Sequence, residues 1–440
     1  MNAVPATAFD TVRNSAAHST YSPVDDIGNA MQPRLRCLWI SRDIPFPQDA
    51  GDRIYSGNLA AALTRANAEV CFMGYAQSGF TPPSDWVSEW RIVDGNKRDQ
   101  RLSLLSLYPR IAAMHATPSY YRLLEQQLQQ PWDAIVLDGY ACGWALPLCL
   151  KARSTLHRHS KAPVIIYVSH NHEASLWRDM FRALPVTSPR RLAVWQNYLK
   201  IRQMEQSLIK HADLVTTITQ EDAQTYAMHR RKFNHREPIV LTPGYVGHRK
   251  TQRQITHSTP RHVLVMGSFR WVIKQENLRR LIAAADPVFA QHGMVLDIVG
   301  DVPPELLREL RAQVSATVFH GFVEDVSSLV DNARIALVPD VVGGGFKLKF
   351  LDYVFSRLPI AAITACTSGL PADLLRYVIA CNDMETLVRS TVNRIDDIEM
   401  LNLLQNEAYR IATPLFDWNT RGQQLATAIR QLDHTVNRHA

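Results

Sequence analysis

"ARIALVPDVVGGGFKLKFLDYVFSRLPIAAITA" occupies residues 333–365 and decides how the chain is read. A run apolar but for Arg334 ends in Pro339 and Asp340. Three glycines follow, Gly343, Gly344 and Gly345. Leu348, Leu351 and Phe355 then recur at helical spacing, and "PIAAITA" (359–365) is a second apolar run. Continuous apolar runs flanking a helix are the pattern of parallel strands covered on both faces. The glycines therefore fall in a strand-to-helix loop at the C-terminal edge of a sheet, where open α/β sheets bind ligands. Glycine lets backbone N–H groups come close to a ligand, and a helix start favours an anion. Lys347 and Lys349 sit in the expected first turn of a helix at 347–357, the wrong end for cations unless an anion cancels them. The loop is thus expected to hold an anion, with phosphate the leading choice. Asp352 shares the helical face of Lys349 and is placed to accept hydrogen bonds from sugar hydroxyls.

The same alternation runs outward in both directions. Toward the C-terminal side of the middle it reads "HVLVMGS" (262–268), a helix near 275–291, "VLDIVGD" (295–301), a helix near 303–313, and "ATVFHGF" (316–322). In the first half it reads "LRCLWIS" (35–41), a helix at 56–66, "EVCFMGY" (69–75), "DAIVLDG" (133–139), "PVIIYVSH" (163–170), a helix at 189–211, "DLVTTIT" (213–219) and "PIVLTPG" (238–244). Repetition of strand and helix predicts an α/β fold of two Rossmann-like, doubly wound parallel-sheet domains with a cleft between them. The expected division is a disordered N-terminal tail at 1–31, an N-terminal domain at 32–245, a polar linker at 246–260, a C-terminal domain at 261–398, and a helical tail at 399–440 that could pack back on the N-terminal domain.

A chain of 440 residues is too long for one ordinary core. No apolar run approaches the roughly 20 residues of a membrane helix, and the first 31 residues lack the basic start and apolar core of a secretory signal. Six scattered cysteines without a Cys-x-x-Cys pair predict buried free thiols in a reducing cytosol. The net charge of +7 favours acidic partners. A metal reading of His170 with His172 is poor, because no further ligand cluster accompanies them. No Gly-x-Gly-x-x-Gly follows a strand, which argues against a dinucleotide dehydrogenase.

The motif at 339–362 resembles the sugar-nucleotide motif of family 4 glycosyltransferases, which have the GT-B fold. The common form carries two glutamates. A subgroup has Gly-Gly-Gly-Thr-Arg-Leu-Lys, and against it Phe346 stands at the Thr, Lys347 at the Arg, Lys349 at the Lys and Asp352 at the final Glu. Gly344 replaces the first glutamate, and Asp352 is one methylene shorter than the residue it stands for. The resemblance extends to "GSFRWVIKQENLRRLI" (267–282), implying that backbone N–H groups of Gly267 and Ser268 and the charges of Arg270 and Lys274 meet a diphosphate. It places Gly300 near the nucleotide and Gly321, Phe322 and Val323 against the base. In the first half, "ISRDIPFPQDAGDRIYSGNLAAAL" resembles the family's first loop, with Gly51 at the turn. "YVSHNHEASLWRDM" resembles the segment whose histidine reaches the donor's sugar and phosphate, which is His170 here.

The resemblance implies a retaining, metal-independent hexosyltransferase that takes a nucleotide-diphosphate sugar as co-substrate, without a further cofactor. Its C-terminal domain would hold the donor, through Gly344, Gly345, Phe346 and the residues above. Its N-terminal domain would meet a saccharide or lipid-linked acceptor of cell-surface polysaccharide synthesis. Lys347 and Lys349 would stabilise the leaving diphosphate. Two other readings stand beside it. The stretch 175–195 mixes Trp177, Met180, Phe181 and Trp195 with Arg178, Arg182, Arg190 and Arg191, and 95–114 similarly mixes basic and apolar residues, as a non-catalytic binder of anionic membrane or nucleic acid would. Nucleic acid is disfavoured for want of a recognised motif. A sugar-nucleotide epimerase on the same fold is the other alternative. The location expected is cytoplasmic, with peripheral contact to the inner face of the plasma membrane.

Overall fold

The structure, a computed structural model, describes residues 33–48, 50–76, 81–99, 106–156, 162–233, 235–270, 272–340 and 345–436. The tail expected at 1–31 and the glycines Gly343 and Gly344 lie outside the described residues. The chain divides into two compact units. One comprises Gly244–Asp417; the other takes the described residues up to Pro243 and returns for the closing helix Trp418–Val436.

Among the described residues the N-terminal unit has a seven-stranded sheet, all of whose pairs are parallel, in the order β3-β2-β1-β4-β5-β6-β7. The strands are β1 (Leu35–Asp43), β2 (Ala68–Tyr75), β3 (Glu89–Ile92), β4 (Ala134–Asp138), β5 (Val164–Val168), β6 (Leu214–Thr217) and β7 (Ile239–Val240). The inner strands are continuous Val, Ile and Leu runs because helices cover both faces; every residue of β4 and β5 is buried. β3 escapes the sequence reading because "EWRI" is a short edge strand, half exposed, with no apolar run to mark it. Helix Gly51–Arg65 packs on the closing helix. Their backbones come so close that a Cβ on Gly422 would sit 2.1 Å from the Ala62 carbonyl oxygen, so only glycine fits there.

The C-terminal unit has a six-stranded parallel sheet in the order β10-β9-β8-β11-β12-β13. Its strands are β8 (His262–Met266), β9 (Val295–Val299), β10 (Thr317–Gly321), β11 (Ala333–Val338), β12 (Ile360–Ile363) and β13 (Val378–Cys381). β8 and β11 form the centre, and their neighbours Phe289, Leu281, Tyr353 and Phe355 on flanking helices complete the buried core. The order reverses between β8 and β11, the switch point at which such sheets bind ligands.

Residues 246–260 run along this unit without helix or strand. The Arg253 side chain is nearly buried there and donates to the carbonyl oxygens of Arg357 (3.0 Å) and Val330 (2.9 Å), so the polar stretch is stitched to a domain rather than left hanging. The helical stretch from 399 onward divides in two. Helix Ile398–Leu415 packs on Lys349–Phe355 and Ala372–Leu375, within the C-terminal unit, and the chain leaves that unit after Asp417. All six cysteines are free and buried.

Candidate functional site

Three strand ends build the site of the C-terminal unit. The Gly267 N–H donates to the Val299 carbonyl (3.0 Å), the Phe269 N–H to the Asp301 carbonyl (2.9 Å), and the Gly300 N–H to the Gly321 carbonyl (2.7 Å). These bonds lace the loops after β8, β9 and β10 into one wall. Gly300 has φ +123°, and a Cβ there would lie 1.9 Å from the Gly267 carbonyl oxygen. Position 300 therefore admits glycine alone. The lacing also corrects one expectation. The Gly267 N–H is committed to Val299, so it is not offered to a diphosphate as the motif implied.

The wall encloses a pocket of about 1090 Å³, its open mouth included. Gly267, Ser268, Gly300 and Phe322 line it, and Asp352 approaches from helix Lys349–Phe355. The Tyr353 hydroxyl accepts from the Met266 N–H (2.8 Å) and pins that helix to the end of β8. Asp301 and Asp325 also line the pocket, with Tyr245, His248 and Lys250 from the segment after Pro243. A flat ring could lie against half-exposed Phe322, and Asp352 could accept hydrogen bonds from neighbouring hydroxyls. Val323 packs on the core instead of lining the pocket. Gly321 contributes its carbonyl to the lacing.

On the same helix and the loop before it lie the lysines. Lys349 Nζ is 2.7 Å from Asp340 Oδ2, and both side chains are nearly buried. Asp340 ends the apolar run of β11, and Asn277 Nδ2 donates to its other oxygen at 3.4 Å. Burial pushes the Lys274 ammonium down to about 8, reinforced by Lys349 and Lys347 against the opposing pull of Asp340. Lys347 is also lowered, by burial first. Burial would raise Asp340, yet Lys349 and Lys274 outweigh it and hold its carboxyl at about 2. Three ammonium groups thus surround one carboxylate, an excess of positive charge in a half-buried place. An incoming anion of charge about −2 would neutralise it. Lys349 is not idle before that happens, because Asp340 holds it in place. The helix begins at Lys349, so Lys347 precedes it rather than sitting in its first turn. Gly345, with φ +73°, and the partly buried Phe346, packed on the core, lead into it. Arg270 is exposed and pairs with Asp301 at 2.5 Å, beside the pocket mouth.

The N-terminal unit carries its own constellation at strand ends. Gly51 starts the helix that bears Tyr55 and Ser56. His170 follows β5. Its Nε2 lies 2.9 Å from Asp138 Oδ1 and 3.2 Å from Ser56 Oγ, while Ser56 Oγ lies 3.0 Å from the same Asp138 oxygen. Tyr55 meets the His170 ring edge-on, centroids 5.6 Å apart. Burial works against a charged His170, but Asp138 outweighs it and raises the imidazole above its ordinary value. Asp138 moves the other way. Burial opposes its ionisation, and His170 more than offsets that, leaving its carboxyl below the usual range. The arrangement favours an oriented imidazolium, a positive charge able to meet a phosphate or give a proton.

His172 serves the local backbone instead. Its Nδ1 accepts from the Ser175 N–H (3.2 Å) and caps helix Glu173–Ala183. Burial, then His229, pushes it down to about 4, which keeps the acceptor nitrogen free of a proton. Among the described residues no group of three or more His, Cys, Asp or Glu side chains could hold a metal ion.

Sequence reasoning missed Asp138, Ser56, Asp340 and Asn277. Asp138 and Asp340 carry a readable signal, since each is the first acid at the end of a buried parallel strand, the position that singled out His170. Ser56 and Asn277 lie inside helices and nothing in the sequence marks them.

Residues 260–397 match the model of a family described as glycosyl transferases group 1. No curated protein matches the chain in sequence. Solved structures are similar over most of its length. HepE of Anabaena, determined with UDP and glucose, is 14% identical with a TM-score of 0.56, covering 90% of this chain and 100% of that one. WaaG, a glycosyltransferase involved in lipopolysaccharide biosynthesis, is 16% identical with a TM-score of 0.58, covering 90% and 99%. The pneumococcal O-GlcNAc transferase GtfA, with UDP and GlcNAc, is 11% identical with a TM-score of 0.57, covering 92% and 100%. The fold of the chain is thereby the two-domain, Rossmann-like GT-B fold.

Proposed function

We propose that the protein is a glycosyltransferase that moves a sugar from a nucleotide-diphosphate donor to an acceptor hydroxyl. The observation that carries the reading is a pocket past the ends of β8, β9 and β10, with Phe322 and Asp352 on its walls, whose Asp352 shares a helix with Lys349, one of the three lysines gathered about Asp340. A nucleoside would enter the pocket and its diphosphate would meet the lysines. Leaving-group charge grows as the glycosidic bond breaks, and preorganised ammonium groups stabilise it most where water is excluded. The matched family model covers this same unit, and solved neighbours of the fold were determined in complex with UDP.

The finer parts of the reading follow from the motif. Family 4 membership in the glycine-rich subgroup, retention of anomeric configuration, hexosyl transfer and independence of metal belong together in it. In a retaining transfer with same-face attack, the donor oxygen–carbon bond breaks, the acceptor oxygen–carbon bond forms, and the departing phosphate takes the acceptor proton. His170, oriented by Asp138, is the acid–base or positioning candidate of the N-terminal unit. The acceptor is a saccharide or a lipid-linked saccharide of a cell-surface polymer, met in the cytoplasm at the inner face of the membrane.

The test is incubation with a panel of UDP-, GDP- and ADP-sugars, with and without a lipid-linked or free saccharide acceptor, followed by chromatography. Acceptor-dependent release of nucleoside diphosphate and a glycosylated product is expected. Epimerised donor without acceptor would replace this reading with an epimerase, and an inert panel would overturn catalysis by this site.

A further inference from the structure

Glu205 lies inside helix Arg190–His211 of the N-terminal unit, with its side chain 1% exposed. A carboxylate buried this deeply is unfavourable unless a cation or a full set of donors compensates it. Among the described residues the titratable groups facing it are His172, Glu173 and Tyr226, with Tyr167 and Tyr140 within electrostatic reach. His172 Nε2 is 3.7 Å away, too far for a hydrogen bond. Burial, then His229, holds that ring at about 4, so it is neutral near pH 7. None of these groups therefore brings positive charge to Glu205 at neutral pH.

What Glu205 does touch is the loop that carries His170. Its Oε1 accepts from the Glu173 N–H (3.0 Å) and its Oε2 from the Ala174 N–H (3.1 Å), at the start of helix Glu173–Ala183. Oε1 is also 2.6 Å from the Tyr226 hydroxyl. That hydroxyl is 2.9 Å from Ser169 Oγ, and Ser169 Oγ is 2.8 Å from the Asn171 carbonyl oxygen. A longer contact of 3.2 Å joins the Tyr226 hydroxyl to the same carbonyl. Ser169 and Asn171 are the neighbours of His170 in the chain. A string of oxygens from Glu205 through Tyr226 and Ser169 to Asn171 thus brackets His170 from both sides, and Ser169, Glu205 and Tyr226 are all buried.

Counting hydrogens along the string decides how it is protonated. Its three short O···O contacts need three hydrogens. Tyr226 and Ser169 supply one each, and a backbone carbonyl supplies none. The third comes from Glu205. With Oε1 protonated, Glu205 donates to Tyr226, Tyr226 to Ser169, and Ser169 to the Asn171 carbonyl, while Oε2 keeps its bond from the Ala174 N–H. With Glu205 ionised, one contact sets two lone pairs face to face among atoms buried from solvent. Burial acts in the same direction and raises the Glu205 carboxyl to about 7, against the lowering pull of Tyr226 and the Ala174 N–H.

We infer that Glu205 is a positioning residue, which in its protonated form closes this string of hydrogen bonds and so holds His170 against Asp138 and Ser56. The inference rests on the reading of His170 as a functional group of the N-terminal unit. Asp138 and Ser56 fix the imidazole directly, at 2.9 and 3.2 Å. Glu205 fixes the backbone from which the imidazole hangs, and itself touches neither donor nor acceptor. A displacement of about 1 Å in such a backbone costs on the order of 100-fold in a reaction that depends on it.

Glu205→Ala, Glu205→Gln and Tyr226→Phe test it in the full chain. The glutamine amide donates to Tyr226 and accepts from the Ala174 N–H, as the protonated acid does, and it cannot ionise. Infrared difference spectra taken as pH rises through about 7 should show the wild type losing the carbonyl band of a protonated carboxyl, a loss that Glu205→Gln lacks. By NMR, the His170 ring should titrate at lower pH in Glu205→Ala and Tyr226→Phe than in the wild type, because it drifts from Asp138, and Glu205→Gln should restore the wild-type titration. Neither readout uses a sugar donor, so this inference and the transferase reading can fail separately. With donor and acceptor identified, Glu205→Ala should lower kcat by about tenfold or more at unchanged donor KM, and Glu205→Gln should recover most of the loss. Circular dichroism melting reports folding, and should Glu205→Ala fail to fold, Tyr226→Phe carries the same comparison. An infrared change shared by Glu205→Gln, or a His170 titration identical in the wild type and the folded variants, overturns the inference. A glutamine variant that behaves as the alanine one also overturns it, since the ionised carboxylate would then be the working form.

Discussion

Replacing Gly300 with alanine tests the wall that shapes the proposed donor pocket. At φ +123° an L side chain is strained by about 1–3 kcal/mol. The added Cβ would also lie 1.9 Å from the Gly267 carbonyl oxygen, a backbone atom that cannot swing aside as a side chain would. Relief requires one loop to move, at the expense of the Gly300–Gly321 bond or the Gly267–Val299 bond, each worth about 1 kcal/mol net. The sum is about 2–4 kcal/mol, or roughly a 10 °C fall in melting temperature for a domain of this size. Gly321 is the control. It has φ +68° with no heavy atom within 4 Å of its built Cβ, so Gly321→Ala should cost only about 1 kcal/mol. Calorimetric melting of the two variants, with titration of UDP into each, reads both effects. Gly300→Ala should also weaken UDP by about tenfold, since the moved loops carry Ser268 and Asp301. Equal melting of the two variants, with UDP affinity intact, would refute the argument that the three strand ends form one wall.

Other outcomes follow from the charges. Lys349→Ala should lower turnover by about 100-fold, the scale of losing a key transition-state stabiliser, and steady-state kinetics with the donor found above would show it. Lys274 is charged in the free protein only below about 8. A bound diphosphate raises its proton affinity, so UDP affinity should be highest below pH 8 and fall as pH rises through that value; in Lys274→Arg this dependence should disappear from a calorimetric pH series. Asp138→Asn removes the group that outweighs burial at His170. The imidazole should then titrate at lower pH than in the wild type by NMR, and transfer should slow.

The fold was legible where burial is two-sided. β4, β5 and β8 are apolar almost throughout, and β1 and β11 are apolar apart from Arg36 and the polar end of β1 and Arg334 of β11; runs of that kind in a parallel sheet need no tertiary information to be seen. β3 is an edge strand of mixed residues and β13 an edge strand of only four apolar ones, and they became visible only through their pairing with β2 and β12. The site was legible to the extent that it sits just past strand ends. His170 follows from that rule, Asp352 from the helical face it shares with Lys349, and Gly300 and Phe322 from the family resemblance. Networks did not follow, because charge balance is a property of space rather than of order along the chain. Lys349 and Asp340 stand nine positions apart in sequence, and nothing there shows that one neutralises the other. The committed N–H of Gly267 is a similar case, since its partner lies on the next strand. His172 and His170, two residues apart, play different parts because a single step along the chain past Asn171 carries the backbone from a strand end to a helix cap.

The most direct measurement is isothermal titration of nucleoside diphosphates into the wild-type chain and into Asp352→Ala. One-site, saturable binding of UDP or another nucleoside diphosphate is predicted, weakened by about tenfold in the variant, the loss expected of a charged hydrogen bond to a ribose hydroxyl. A wild-type chain that takes up no nucleoside diphosphate, or a variant that binds with undiminished affinity, would contradict the assignment of this pocket.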